Sequence, residues 1–254
     1  MSPKPTRKSP LPPWLPPLKT HLSTPNTSLT SFTLSTSTPA GPRSRTVEFR
    51  GFLPTLNLHA SAIASLKDQG IGLNPDVYES EMLVVTTDAR MEKAKELEGG
   101  GGKVEGVFWG REAFVLGAGE DGDRGEERAR GAVGRGLLRK GSGDGDGEWT
   151  WERQVTMYFA NHSPVMRGSF KNPPPGTPRS QAPSNPELKL GQKVEDLRDK
   201  VARENFRVVV IRPEEVERLD LKDLANVTRT RWTFVPEADG DTWEGKWEEV
   251  DLWP

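Results

Sequence analysis

The chain has no cysteine among its 254 residues, which excludes disulfides, thiolate metal sites and a cysteine nucleophile. Histidine is nearly as scarce. His21, His59 and His162 are isolated in the sequence, so no pair has metal-ligand spacing and no metal is expected. Excess charge of either sign is also missing: 35 Lys and Arg stand against 37 Asp and Glu, a balance of −2. No overall field therefore draws the chain to nucleic acid or anionic lipid. No apolar run approaches the roughly 18 residues that span a bilayer, and no secretory apolar segment follows Met1. The chain is expected to be soluble and cytoplasmic, with no nucleic-acid or membrane partner. The first 47 residues hold six Lys or Arg, no acid, and many Ser and Thr, which keeps a mitochondrial address open. The prolines of SPLPPWLPPL (9–18) speak against the amphipathic helix such an address needs.

Glycine and proline are abundant instead, at 26 and 22 residues. They concentrate in a few places, and β-like stretches lie between them: SFTLSTS (31–37), RTVEFRGFL (45–53), EMLVVTT (81–87), VEGVFWG (104–110), EAFVLGA (112–118), FRVVVIRP (206–213), TRTRWTFV (228–235) and KWEEVDLW (246–253). Helical patterns fall at 59–70, 88–99, 149–163 and 194–206, with Asp88 a candidate cap for the second. Residues 117–147 contain eleven Gly, seven acids and six bases, a composition expected to remain a solvated, disordered insertion. Residues 171–190 read as a polar, proline-rich loop. The expected organisation is a flexible N-terminus (1–10) and one domain (11–254). Its fold class is β-rich α+β, with an antiparallel barrel and peripheral helices rather than a parallel sheet.

No serine elbow, phosphate-cradling glycine loop or zinc signature is present, and GGGG (99–102) follows no strand-to-helix pattern. Two stretches can carry chemistry. Arg45–Arg50 is a strand whose bases flank apolar residues. Thr86–Lys93 runs from a strand into a helix, so hydroxyls, backbone N–H groups and cations converge where a phosphate could sit. Side chains alternate along a strand, so Arg45 and Arg50 should face opposite sides unless the strand is interrupted. Trp109, Trp151 and Trp232 read as core or interface aromatics, and His162 as a structural or exposed histidine rather than a proton carrier.

Six segments, PWLPPLKTHLS (13–23), RSRTVEFRGF (43–52), TTDARMEKAKEL (86–97), FANHSPVMRGSFKNPPPG (159–176), VARENFRVVVI (201–211) and WEEVDLWP (247–254), together resemble the FMN-binding pyridoxamine 5′-phosphate oxidase-like proteins, in a subgroup found in fungi and cyanobacteria. That resemblance implies a split β-barrel, a homodimer with FMN at its interface, and a flavin-dependent oxidation of a small molecule. In the oxidases of the family, a hydride leaves C4′ of the vitamin B6 phosphate and oxygen is reduced to peroxide. It implies FMN contacts at Arg45, Thr46, Val47, Arg50, Thr86, Thr87, Arg90, Lys93 and Arg231, with Arg50 the catalytic cation near the flavin. It implies substrate contacts at Tyr158, and Arg167 could bind an anionic substrate or form a structural salt bridge. The sequence departs from the family at Ala113, where a Gln is expected, and at Met91, where a Ser is expected. Leu219 stands where the classical oxidases carry a Trp, a loss usual for this subgroup. The Arg and Ser that hold substrate phosphate in the oxidases fall on His162 and Met166, and the C-terminal Arg and His fall near Val227 and Arg229. These departures keep two further readings open: an FMN-binding module without pyridoxamine phosphate oxidation, such as a flavin reductase or carrier, and a cofactor-free interaction protein on the same barrel.

Overall fold

The computed structural model describes residues 2–23, 31–99, 103–106, 112–117, 124–141, 147–221, 223–237 and 243–254, with backbone alone at 98, 99, 112–117 and 124–127. In chain order, α1 (Leu15–Ser23) is followed by β1 (Ser31–Thr38), β2 (Gly41–Glu48), α2 (Ala60–Asp68), β3 (Tyr78–Glu79) and β4 (Leu83–Asp88). Next come α3 (Glu92–Gly99), β5 (Val104–Gly106), β6 (Glu112–Gly117), α4 (Arg124–Arg135), β7 (Leu138–Arg139) and α5 (Trp151–Ala160). The chain ends with α6 (Pro164–Ser169), α7 (Lys200–Asn205), β8 (Phe206–Arg212), β9 (Glu215–Asp220), β10 (Thr228–Pro236) and β11 (Gly245–Leu252).

All strand pairings are antiparallel, in sheets ordered β2–β1–β5, β4–β8–β6, β11–β10–β9 and β3–β7. The fold is thus β-rich α+β, as expected. The expected barrel is a different matter: among the described residues the four sheets do not close into one hydrogen-bonded ring.

β8 shows how alternation builds the interior. Its even residues Phe206, Val208 and Val210 join one apolar cluster with α2, α5 and Phe170. Its odd residues Val209 and Ile211 join a second, with Phe32, Leu34, Val47, Trp14 and Trp232. Because successive side chains point to opposite faces, a continuous apolar run here means burial on both faces. β4 divides in the same way, with Val84 in the first cluster and Leu83 and Val85 in the second.

Several expectations shift. The strand expected at 45–53 divides: β2 pairs with β1 only as far as Glu48, and the chain then crosses to β4, where Arg50 N donates to Val84 O at 2.8 Å and Leu53 N to Met82 O at 2.8 Å. The helix expected at 88–99 begins at Glu92, because Asp88 is the last residue of β4 and its carboxylate accepts from Arg90 N rather than capping a helix. The one expected at 194–206 is confined to α7. The prolines near the N-terminus do not prevent a helix, since Pro16 and Pro17 fall in the first turn of α1, where their missing N–H groups have no helical acceptor. The N-terminal segment is packed rather than flexible: Arg7 is buried and bonds Glu81 at 2.6 Å. Nor is 117–147 solvated throughout. Within it α4 forms, and Val133 and Leu137 enter the first cluster beside Trp243. The close approach there needs a glycine, since a Cβ on Gly136 would lie 2.5 Å from the Trp243 ring.

Candidate functional site

The crossing of the chain from β2 to β4 sets the site. It carries Arg50 past the end of β2 and lays it beside Thr86 of β4, while Thr46, Val47 and Glu48 remain at the edge of the β1–β2 hairpin. A cavity of about 640 Å³ opens there. The end of β4 contributes Thr86, Thr87 and Asp88, the approach to α3 and its first turn contribute Met91 and Lys93, and the α5–α6 junction contributes His162, Met166, Ser169 and Phe170. The proline-rich segment closes the remaining side, with Asn172, Pro173, Pro174, Pro175 and Arg179 among its lining residues.

At the centre lies a small polar cluster. Arg50 Nε donates to Thr86 Oγ1 at 3.2 Å, and Arg50 Nη2 lies 3.2 Å from His162 Nε2. Thr86 Oγ1 is 3.1 Å from the same ring nitrogen. A guanidinium can only donate, so Nε2 carries a lone pair and the ring proton sits on Nδ1, where it donates to Tyr158 O at 2.9 Å. His162 is accordingly neutral. Burial, and then the positive charge of Arg50, push its pKa down to about 4, although bonds to the Tyr158 and Phe159 backbone oppose this. Burial also lowers the Arg50 pKa, with exposed Glu48 at 3.6 Å acting the other way. Lys93 is half-buried and makes no ion pair with any described residue; burial and the nearby Arg45 lower its pKa, and Asp88 partly offsets them. The cavity lining therefore includes three cations, Arg50, Lys93 and the exposed Arg179, none in contact with a buried carboxylate among the described residues.

The proline-rich wall is tied down at its base. Arg90 binds Asp88 through Nε and Nη2, and donates from Nη1 to Asn172 O at 2.9 Å and from Nη2 to Phe170 O at 3.2 Å. Lys171 pairs with Asp199 at 2.9 Å, and Gln192 Nε2 reaches Glu187 O and Lys189 O. Gly168 lets α6 touch the returning chain, since a Cβ there would stand 1.9 Å from Gln192 O.

The residues expected to bind ligand separate into two groups. Thr46, Val47, Arg50, Thr86, Thr87 and Lys93 are gathered on the cavity. Arg45, Arg90 and Arg231 are not among its lining. Arg45 binds Glu96 at 2.5 Å and Thr36 at 2.6 Å; burial alone would raise the Glu96 carboxyl, but Thr36, Arg45 and Arg43 together hold it below its ordinary value. Arg231 shares Glu217 with Arg229 on the outer face of β9–β10, where the Arg229 hydrogen bond leads in lowering the Glu217 pKa. Tyr158 is buried in the core without a good hydrogen bond for its hydroxyl, and burial raises its pKa against a partial effect of Gln154. Arg167 is buried and bonds the carbonyls of Ala160, His162 and Val194, so it joins α6 to its neighbours instead of facing the cavity. Of the departures from the family, Met91 lines the cavity, whereas the side chain of Ala113 lies outside the described residues, as does Trp109. His162 and the 172–183 wall were not expected at the site. The alignment of His162 with a substrate-binding position was the available signal for the first, and the second had none.

Among the described residues no group of three or more His, Asp or Glu could hold a metal ion, and no helix is long and apolar enough to cross a membrane.

Residues 11–114 match the family model described as "Pyridoxamine 5′-phosphate oxidase, FMN-binding domain". Among solved structures, a pyridoxamine 5′-phosphate oxidase-related, FMN binding protein from Nostoc punctiforme is similar at a TM-score of 0.55 and 19% identity, over 97% of this chain and 100% of that one. PhzG from Burkholderia lata, in complex with tetrahydrophenazine-1-carboxylic acid, is similar at a TM-score of 0.45 and 15% identity, over 97% and 95%. No curated protein matches the chain.

Proposed function

We propose, from the match of residues 11–114 to the FMN-binding domain model of pyridoxamine 5′-phosphate oxidase, that the chain binds FMN and is a flavin-dependent oxidoreductase acting on a small molecule in the 640 Å³ cavity. One observation carries this reading: Arg50, Lys93, Thr46, Thr86 and Thr87, scattered over 48 positions, converge on one concave surface. The volume suits a cofactor-sized ligand, for which pockets run from about 300 to 1,000 Å³. The donor set fits FMN as well. Lys93, with no ion-pair partner among the described residues, would be available to the phosphate, and the threonine hydroxyls and Arg50 would supply hydrogen-bond donors to the rest of the cofactor. FMN, when bound, supplies a two-electron acceptor. Arg50 then stabilises negative charge as it develops in the cavity. Neutral His162 keeps Arg50 and Thr86 aimed; its ring proton is held on Nδ1 by Tyr158 O, so Nε2 presents a lone pair and no proton near neutral pH. Phe170 and the proline wall cover one side of the cavity, which reduces the solvent screening of Arg50 and Lys93.

Two structural points extend the reading. The β1–β2–β5 and β4–β8–β6 sheets share the second apolar cluster, which supports their being the walls of a split barrel. Leu219 and Val250, each 53% exposed, lie on one outer face of β9–β11 beside Arg231. That face suits a homodimer in which Arg231 of the partner subunit nears the cavity. Sedimentation at micromolar concentration should give twice the chain mass, and Val250→Glu should reduce it to one.

The narrower activity, oxidation of pyridoxamine 5′-phosphate, competes with FMN binding without it. The burial of Tyr158 and Arg167 away from the cavity favours the latter, because neither lines the surface on which a substrate phosphate would sit. The purified protein should be yellow and release FMN on denaturation; a colourless protein that takes up no added FMN overturns the proposal. Peroxide produced with pyridoxamine 5′-phosphate, but not with the unphosphorylated amine, then separates the two activities.

A further inference from the structure

The start of α5 and the chain entering α7 enclose a second cavity of about 390 Å³, which shares no lining residue with the first. Four cations line it, Arg153, Arg198, Lys200 and Arg203, against two exposed carboxylates, Glu152 and Glu204. The surplus is two positive charges. None of the four makes an ion pair with any described residue, and the hydrogen bonds of the three arginines go to neutral oxygens. Arg153 donates to Glu148 O at 2.8 Å, and Arg198 to Gln69 O at 3.0 Å. Arg203 Nη2 donates to Thr156 Oγ1 at 3.0 Å, whose own proton is given to Glu152 O at 2.8 Å, so that hydroxyl can only accept from the guanidinium. The guanidinium stands 5.3 Å from the centre of the Phe159 ring. Its other terminal nitrogen, Nη1, is buried with no hydrogen-bond partner.

Neutral acceptors fix the direction of a cation without cancelling its charge, and a buried charged donor left unpaired is costly. Burial pushes the Arg203 pKa down to about 10, with Glu152 opposing and Arg130 adding to the effect, so the group still carries its charge near neutral pH. An arginine fork matches phosphate geometry, and a phosphate carries a charge of about −1.5 to −2 near neutral pH, close to the surplus of the cavity. A single carboxylate would leave one charge uncompensated.

We infer that this second cavity binds a phosphate dianion, free or as the end group of a small phosphomonoester, with Arg203 as its central donor. The site is independent of FMN chemistry.

The test is calorimetric titration of the full chain with inorganic phosphate at fixed ionic strength, with glycerol 3-phosphate, acetate and chloride in parallel. The first cavity is also cationic, so the parent protein is compared with Arg203→Met, Arg198→Met and Lys93→Met. Saturable phosphate binding, weakened at least tenfold by Arg203→Met and severalfold by Arg198→Met but unchanged by Lys93→Met, supports the site. Tighter binding of glycerol 3-phosphate assigns a phosphomonoester, and tighter binding of inorganic phosphate assigns the free ion. Loss of binding only in Lys93→Met, or acetate or chloride binding as well as phosphate, overturns the proposal. Should Arg203→Met fail to fold, exposed Arg198 and Lys200 supply the same comparison, and unchanged binding in both their Met variants rejects it.

Discussion

Arg45 and Arg50 stand five residues apart and have opposite fates. The first lies on a wall of β2, where Glu96 and Thr36 hold it. The second lies beyond the strand, beside neutral Thr86 and neutral His162, and the one carboxylate near it, Glu48 at 3.6 Å, is exposed to solvent. Both guanidiniums are fixed in place, yet only one retains its field. A cation neutralised by a close carboxylate serves the fold, whereas one oriented by neutral acceptors still has its charge to offer a ligand.

Four measurements break or sharpen that contrast. The largest effect is expected where a cation is wholly committed to structure. Glu81→Ala leaves Arg7 buried without its partner, and chemical denaturation should show a loss of about 3–5 kcal/mol, with FMN affinity unchanged in the folded fraction. Second comes the neutral acceptor itself. The folded pKa of His162 is depressed to about 4 from an ordinary value near 6.5, so the unfolded chain takes up a proton first as pH falls. Its stabilising share is complete above about pH 6.5 and is lost progressively toward pH 4, amounting there to roughly 3 kcal/mol. His162→Gln should flatten the stability profile across that window; an unchanged slope would show that burial, and the Arg50 charge beside it, do not keep the ring neutral. Third, Arg50→Met removes a charged donor from the cavity and should weaken FMN binding by roughly 10- to 100-fold, the equivalent of about 1.5–3 kcal/mol, with little change in melting temperature. The smallest effect belongs to Arg45→Met, which should cost about 1 kcal/mol of stability, since this pair is partly exposed, and leave FMN affinity within about twofold. A larger loss of affinity at Arg45 than at Arg50 would reverse the contrast.

What could be read in the sequence was what short-range periodicity and turn chemistry determine. α2 follows its expected span, and β8 ends at Pro213 because its apolar run is continuous and proline cannot extend it. Thr86, Thr87 and Lys93 were legible because a strand entering a helix brings hydroxyls and a cation together locally. The fate of Arg45, Arg90 and Arg231 was not, because it depends on which carboxylate each meets. Arg231 faces Glu217 directly across the β9–β10 register, and cross-strand pairing is invisible before the register is known. The proline-rich wall was illegible for a related reason: its composition says loop, and its place at the cavity comes from Arg90, Lys171 and Gln192 holding its ends. Helix α4 was hidden by averaging, since a glycine-rich window conceals that Val133 and Leu137 fall on the side that meets Trp243.

Strand β8 has one more consequence. It is the middle strand of its sheet and is clothed on both faces, so its amides can exchange with solvent only when both apolar clusters come apart. Thr86 is bonded to it in register with Val208, which ties the polar centre of the cavity to a strand buried on both faces. In hydrogen-exchange terms, the 206–211 amides should open only with the global transition, and the cavity should disappear in that same step.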